Sequence, residues 1–133
     1  QLGASDKTSF YITQSWMNKN PPHSYHHTHM HPNSIFSCIY YVEGDTCPTF
    51  FYRYDDRTSF GNFAFYDGDK GSNPYTASKV GVMNEVGRLV IFPSSMVHDV
   101  DKNLGQKDRV TISFNTFVKG EMGDPENSNH LII

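Results

Sequence analysis

Charged side chains are scarce in this sequence, and that scarcity excludes several classes of protein. Asp, Glu, Lys and Arg make up only 19% of the 133 residues, and the formal net charge is −3. No run or stripe of Lys and Arg is present, so a nucleic-acid partner is not indicated. No apolar stretch approaches the roughly 20 residues of a membrane-spanning helix, and none has the flanks of a signal peptide. We therefore expect a cytoplasmic protein without a nucleic-acid or membrane partner.

Cysteine is also rare. Cys38 and Cys47 are too few for a disulfide framework, and their spacing matches no CxxC motif. A disulfide between them is not expected in a reducing cytoplasm. A chain of 133 residues can bury a core without disulfides, so we expect one domain spanning residues 1–133. Because the chain begins with Gln rather than Met, we also expect an N-terminal extension to be missing.

Helical patterns are nearly absent. Only Ser15 to Asn20 could form a helical turn before Pro21 and Pro22 end it. Ten Phe and eight Tyr favour strands instead. Strand-like runs bounded by turn residues occur at 10–13, 35–42, 49–54, 62–66, 79–83, 88–92, 97–100 and 109–118. Short strands without crossover helices predict an all-β sandwich, barrel or jelly roll.

The last long predicted strand, 109–118, has one polar and one apolar face. The polar set is Arg109, Thr111, Ser113 and Asn115, and the apolar set is Val110, Ile112 and Phe114. A polar face on a strand deep in the fold predicts that the strand lines a pocket. The apolar face then needs cover from helices or from a partner, and a homodimer stays open.

Histidines are concentrated in one segment. Five of the seven lie within nine residues: His23, His26, His27, His29 and His31. For the first three, a solvated Pro-rich loop is the favoured interpretation. The other two form an i, i+2 pair leading into a strand, so both side chains should point to the same side. Neutral imidazole is the commonest metal ligand near neutral pH, and this pair could occupy adjacent positions on one ion.

A third ligand should come from another strand, and His98 is the remaining histidine in a suitable context. It lies within IFPSSMVHDVDKN, residues 91–103, where a short loop follows a buried strand. Arg109 comes eleven residues later, at the start of the polar face. For His98 alone, a hydrogen-bonded core imidazole is as good an explanation as a functional role. For Arg109 alone, so is a surface ion pair with Asp108 or Asp101. Together these residues favour a functional site.

The blocks SWMN, HMHPNSIFSCIYYVEG, RLVIFPSSMVHDV and RVTISFNTFVKGEMG resemble a family of 2-oxoglutarate/Fe(II) oxygenases of marine bacteria and tailed phages. The pattern of that family runs roughly Ser-Trp-x-Asn, His-x-His-Pro, Ser-Gly-x-Tyr-Tyr, Phe-Pro-x-x-x-x-His and Arg-x-x-x-Ser-Phe-Asn. The similarity covers nearly the whole chain from about Phe10 onward, and the motifs are fairly specific in order and spacing. Cys38 stands where the family usually has Gly.

The resemblance implies an all-β double-stranded β-helix, a cupin-like jelly roll with few or no helices and a metal at one mouth. It also implies a dioxygenase that uses Fe(II), 2-oxoglutarate and O₂ to hydroxylate an unknown substrate. The expected location is the cytoplasm of a bacterium or of a phage-infected host. Prolyl, other peptidyl, nucleobase and small-metabolite substrates all stay open.

By position in the resemblance, His29 matches the first iron ligand and His98 the distant one. Arg109 matches the residue that binds the far carboxylate of 2-oxoglutarate. A hydroxyl from Thr111, Ser113 or Tyr40 would add a hydrogen bond to this co-substrate, without a firm choice among them.

His31 stands where the wider superfamily has Asp or Glu. Three outcomes are open: His31 ligates the iron, water takes the position, or Asp99 or another carboxylate supplies the ligand. We favour His31, which makes His29, His31 and His98 the expected metal ligands and catalytic residues. Replacing a carboxylate by imidazole should weaken Fe(II) retention against Zn or Cu, because those metals also suit imidazole.

Two other classes of protein stay open. A three-His cupin-type dioxygenase, such as a thiol dioxygenase, would use the same ligands but would need no dicarboxylate anchor at Arg109. A non-catalytic jelly-roll module for binding or for structure would not bring the imidazoles of His29 and His98 together.

Overall fold

The computed structural model describes residues 6–44, 47–53 and 77–133, and nearly all regular structure within them is β-strand. The strands are β1 Thr8–Asn20, β2 His26–His29, β3 Phe36–Glu43, β4 Thr49–Tyr52, β5 Lys79–Val82, β6 Leu89–Pro93, β7 His98–Val100, β8 Arg109–Met122 and β9 Leu131–Ile132. One 3₁₀ turn spans Pro125–Asn127. The predicted strand at 62–66 lies outside the described residues. Within the described part of the chain, no helix has the length and apolar character needed to cross a membrane.

The strands form two antiparallel sheets. The large sheet has the order β1-β8-β3-β6, with β9 paired to the end of β8, and the small sheet has the order β2-β7-β4-β5. The chain passes back and forth between the sheets, so most sequential strands lie in opposite layers. This is the connectivity of a jelly roll, and the predicted all-β fold class is confirmed.

The helical turn considered for Ser15 to Asn20 is not formed, because this segment is the second half of β1. Thirteen residues of β1 lie along β8 in antiparallel register, which satisfies backbone groups that a single helical turn would leave unpaired. Trp16, Asn18 and Asn20 are partly buried, whereas the residues between them are exposed. This alternation with period two is the pattern of a strand with one buried face.

The interior between the sheets is only partly apolar. Its buried hydrophobic cluster consists of Ile39, Tyr41 and Phe92, with Phe51, Val90 and Met96 packed against it. Several polar residues are also buried, among them His98, Arg109, Thr111 and Ser113, each at most 6% exposed. Burying so many polar groups is unfavourable unless they have a partner. The interior therefore contains a polar pocket beside a small hydrophobic core, as the alternation in β8 predicted.

The apolar face of β8 points away from this interior. Ile112 is 37% exposed and is paired with Met17 of β1 and Tyr40 of β3, which are 67% and 39% exposed. Among the described residues, no helix packs on this face. The cover that the sequence predicts for it is therefore not provided by the described part of the chain.

Candidate metal and co-substrate site

Three imidazoles converge at one end of the space between the sheets. His29 ends β2 and is directly opposite His98, the first residue of β7. His31 follows two residues after β2. One ring nitrogen from each of these residues can be chosen so that all three lie within 4.8 Å of one another. The structure thus brings together the three histidines expected from the sequence, in a group that could hold a metal ion.

The hydrogen bonds of two of these rings fix which nitrogen is free. The Nδ1–H of His29 donates to the carbonyl oxygen of His27 at 2.7 Å, and the Nδ1–H of His98 donates to that of Met96 at 3.0 Å. A carbonyl oxygen can only accept, so Nδ1 carries the proton in each neutral ring. The Nε2 lone pair of each ring is therefore available, and such carbonyl bonds are the usual support of metal-ligating histidines.

The third ring is placed to share the same ion. Nε2 of His31 lies 3.3 Å from Nε2 of His98. Two nitrogens that bind one metal at about 2.1 Å are about 3.0–3.4 Å apart for angles from roughly 90° to tetrahedral. The observed separation therefore suits two ligands of one metal, without rearrangement of the strands.

His31 lies in a loop, and a network of hydrogen bonds holds that loop in place. Its backbone N–H donates to the carbonyl oxygen of Ser94 at 3.0 Å. The hydroxyl of Ser94 is 2.7 Å from that of Ser34 and 2.8 Å from that of Ser37. Ser37 in turn donates to Oδ1 of Asn115 at 2.8 Å. The loop is thereby tied to both β3 and β8.

Aromatic rings enclose the histidines on the inner side. Trp16 stacks on His31 with ring centroids 5.6 Å apart, and Phe92 meets His98 edge-on at 4.8 Å. Trp16 is partly buried and lines the cavity. These contacts restrict the orientation of both imidazoles.

Burial favours the neutral form of His98 and His31. Desolvation lowers the pKa of His98 to about 4, opposed by the bond to the carbonyl of Met96 and reinforced by the neighbouring imidazoles. Desolvation likewise lowers the pKa of His31, with His29 contributing repulsion. Neutral imidazole is the form that binds metal, so these rings are ready as ligands near neutral pH.

A fourth imidazole, that of His26, also faces the cavity. His26 pairs with Val100 and His29 with His98, so three steps along β2 correspond to two along β7. This mismatch is a β-bulge, which inserts one extra residue into β2. Residues three apart in a regular strand face opposite sides, whereas the bulge turns both histidines inward. The expectation of a solvated loop at His26 is wrong, while His23 and His27 are exposed as expected.

Arg109 forms the other polar end of the cavity. It is only 2% exposed, its Nη2–H donates to Oγ1 of Thr49 at 3.0 Å, and its guanidinium lies 5.2 Å from the centre of the Tyr41 ring. The Tyr41 hydroxyl also bonds to Thr49, at 2.9 Å. The surface ion pair with Asp108 considered from the sequence is not formed, because Asp108 pairs with Lys19 at 2.9 Å.

Two buried polar atoms of this end have no hydrogen-bond partner among the described residues. They are Nε of Arg109 and Oγ1 of Thr111. No salt bridge among the described residues includes Arg109, so its buried charge has no carboxylate partner there. Buried polar groups are normally satisfied, and each exception needs an explanation. A bound anion would supply both the missing acceptor atoms and the missing negative charge.

Asp99 does not complete the metal site. It is adjacent to His98 in β7, so its side chain points to the opposite face of the small sheet. There its carboxylate accepts hydrogen bonds from Thr28 at 3.2 Å and from Tyr52 at 2.6 Å. Of the three outcomes left open by the sequence, the geometry argues against the one in which Asp99 supplies a ligand.

Not all of the hydroxyls proposed for the co-substrate reach the cavity. Thr111 and Ser113 line it, and Ser113 accepts a hydrogen bond from Nδ2 of Asn18 at 3.1 Å. Tyr40 does not line it, because it is on the outer face of β3 and is 39% exposed. The neighbouring Tyr41 faces inward and is fully buried. Alternate residues of a strand share a face, and Ser37, four residues before Tyr41, also faces inward. The alternation in β3 therefore indicates Tyr41 rather than Tyr40 as the inward residue.

Comparison with known proteins decides the family. A protein-family model described as "Putative 2OG-Fe(II) oxygenase" matches residues 14–115. The chain belongs to this 2OG-Fe(II) oxygenase family. The matched segment includes the three converging histidines and Arg109. No curated protein matches the chain in sequence.

Solved structures of oxygenases share the fold. An oxidoreductase of the 2OG-Fe(II) oxygenase family from Burkholderia pseudomallei is similar with a TM-score of 0.60 at 11% identity, over 83% of this chain and 46% of that one. A non-haem monooxygenase, ThoJ in complex with Ni, is similar with a TM-score of 0.54 at 12% identity, over 84% and 46%. At such identities the similarity concerns the fold alone. The chain spans about half the length of these structures.

Proposed function

We propose that this member of the 2OG-Fe(II) oxygenase family is a dioxygenase that uses Fe(II) and 2-oxoglutarate to hydroxylate a second substrate. One observation carries the proposal: a cavity holds three convergent imidazoles at one end and a buried guanidinium without a carboxylate partner among the described residues at the other. Family membership supplies the class of chemistry. The geometry supplies the residues to which the chemistry is assigned.

His29, His31 and His98 are the proposed metal ligands. The donor set fits Fe(II), because two of the rings present free Nε2 lone pairs and the third approaches within 3.3 Å of one of them. Imidazole suits iron as well as Zn, Cu and Ni. When bound, the iron supplies the oxygen chemistry that couples oxidation of 2-oxoglutarate to succinate and CO₂ with hydroxylation of the substrate. The role of the protein is to hold both reactants and to limit access of water.

Arg109 is the proposed anchor of 2-oxoglutarate. Its guanidinium can bind a carboxylate through two parallel N–H bonds, which fixes orientation as well as charge. The unpartnered hydroxyl of Thr111 could add a further bond, and the guanidinium is held by its contacts with Tyr41 and Thr49. Ser113 lies further along the same face of β8.

Charge balance supports a dianionic co-substrate. The described residues that line the cavity include Arg109 and four histidines but no carboxylate. A divalent metal with three neutral ligands would therefore share the cavity with one buried cation and no compensating protein anion. Because unpaired buried charge is costly, a molecule with two carboxylates fits this environment better than a neutral one.

The two alternative functions differ in what the cavity should contain. A three-His cupin-type dioxygenase would explain the donor set equally well, but it leaves Arg109 and its unpartnered Nε without a purpose. A non-catalytic module would not need ligand atoms within 4.8 Å of one another. The combination of both features supports the 2-oxoglutarate-dependent enzyme.

Anaerobic titration tests the proposal. Adding Fe(II) and then 2-oxoglutarate to the protein under argon should produce the weak visible charge-transfer band of a 2-oxo acid bound to Fe(II). The band should saturate with 2-oxoglutarate and should be absent when succinate replaces it. A protein that binds Fe(II) but gives no band at saturating 2-oxoglutarate would point to the three-His dioxygenase instead.

We further propose a source in marine bacteria or tailed phages, a cytoplasmic location, a single oxygenase domain over residues 1–133, and association through the apolar face of β8.

A further inference from the structure

His26 is the one inward-facing imidazole that has no assigned role. Its ring lies 5.0 Å from that of His29, centroid to centroid. The charge of Arg109 contributes to lowering the pKa of His26, after desolvation and the neighbouring histidines, but is not among the causes for His31 or His98. His26 lines the same cavity as the three proposed ligands and Arg109.

The imidazole of His26 is also unpaired. Among the residues that the structure describes, none forms a hydrogen bond with either of its ring nitrogens, in contrast to His29, His31 and His98. A neutral imidazole carries one N–H donor. In the same cavity, two buried atoms also have no hydrogen-bond partner among the described residues: Nε of Arg109 and Oγ1 of Thr111.

Local backbone structure supports a specific role for this residue. Without the bulge in β2, His26 would face the opposite side of the sheet from His29. Bulges are common next to active sites, where they re-aim a side chain. Here the bulge has that effect, because it adds a hydrogen-bond donor to the wall of a cavity that already holds the ligand set and Arg109.

We propose that His26 binds 2-oxoglutarate, donating a hydrogen bond from its imidazole to a carboxylate oxygen of the co-substrate held by Arg109. This inference rests on the proposed function. His26 is not a fourth metal ligand, because it does not join the group of ligand atoms that lie within 4.8 Å of one another. It is a residue for co-substrate affinity.

The test compares binding of 2-oxoglutarate by the Zn(II)-loaded protein and its variants, measured by isothermal titration calorimetry. Zn(II) fills the metal site but does not support the oxidation, so binding is measured without turnover. His26→Phe keeps a ring of similar shape but removes the donor. Since hydrogen bonds to charged groups are the stronger ones, the dissociation constant should rise about tenfold or more. His26→Gln restores a donor and should recover most of the affinity.

Controls separate this role from a structural one. His27→Phe makes the same change at the adjacent exposed histidine and should leave the affinity unchanged. The Zn(II) affinity and the thermal unfolding midpoint of the metal-loaded protein should be the same in all three variants and the wild type. A loss limited to 2-oxoglutarate affinity supports the inference.

Three outcomes would overturn it. If wild type and His26→Phe bind 2-oxoglutarate equally, the inference fails while the proposed function stands. If His26→Phe loses Zn(II) affinity, His26 is a metal ligand instead. If the wild type binds Zn(II) but no 2-oxoglutarate, the proposed function fails and this inference fails with it.

Discussion

Nε2 of His31 and Nε2 of His98 lie 3.3 Å apart, with the two ring planes inclined by only 9°. Because Nδ1 of His98 donates to Met96, its Nε2 is an acceptor, and a neutral His31 can donate to it. The same two atoms can therefore be joined by an N–H···N bond without metal or by a metal ion. This bond would hold the ligands together in the metal-free protein and limit the conformational entropy lost on metal binding.

The sole tryptophan should report metal binding. Trp16 stacks on His31 with ring centroids 5.6 Å apart, so a paramagnetic ion at the three histidines would lie close to the indole. Adding Ni(II) or Cu(II) to the metal-free protein should quench the tryptophan fluorescence in a saturable way. In His98→Ala the quenching should require much more metal. Equal quenching curves for the two proteins would mean that the ion binds elsewhere.

Replacing His31 by Asp should change which metal the protein retains. The substitution introduces the carboxylate usual in the superfamily, and a negative ligand offsets part of the metal charge. After dialysis against a chelator, His31→Asp should keep more Fe(II) relative to Zn and Ni than the wild type, as measured by elemental analysis. His27→Asp adds the same charge at an exposed neighbour and should have no such effect. Greater iron retention by the wild type than by His31→Asp would contradict the assignment of His31.

Removing the guanidinium should separate stability from binding. Arg109 is buried without a carboxylate partner among the described residues, so the metal-free Arg109→Met protein should be as stable as the wild type or more stable, by about 1–3 kcal/mol. It should lose the thermal stabilisation by 2-oxoglutarate, which for the wild type amounts to about 2.7 kcal/mol at a hundred times the dissociation constant. Differential scanning calorimetry measures both quantities.

Arg109→Lys is the matched control. It keeps the charge but not the planar fork that binds a carboxylate through two bonds, so it should retain weak stabilisation by 2-oxoglutarate. Full stabilisation of Arg109→Met by 2-oxoglutarate would show that the co-substrate is anchored by another residue.

Gly44 should be less tolerant of substitution than Gly87, although both have positive φ, +105° and +88°. A Cβ at Gly44 would lie 2.8 Å from Nδ2 of Asn84 and 3.0 Å from Cα of Arg109, whereas nothing lies within 4 Å at Gly87. Gly87→Ala should cost about 1 kcal/mol for the backbone conformation alone. Gly44→Ala should cost roughly 2–4 kcal/mol because steric overlap is added. Urea denaturation of the metal-free proteins compares them, and equal costs would rule out the close approach to Arg109.

Local periodicity predicted part of the site from the sequence. The spacing of His29 and His31 and the alternation in β8 depend on the two-residue repeat of a strand, which does not depend on what the strand pairs with. The same rule could have placed Tyr41 rather than Tyr40 in the cavity, and could have excluded Asp99 as a neighbour of His98. The choice of Tyr40 and the alternative of Asp99 both came from incomplete use of a local pattern.

Other features depend on long-range pairing. The inward turn of His26 results from a bulge that exists only because β2 pairs with β7 in a particular register, and Ser15 to Asn20 is a strand because it pairs with β8. Residue order alone thus established an all-β chain with candidate ligands on known faces of their strands. Contacts among segments about seventy residues apart then set the 3.3 Å spacing of His31 and His98 and the burial of Arg109. Distances across a sheet follow from strand register, and local sequence does not specify that register.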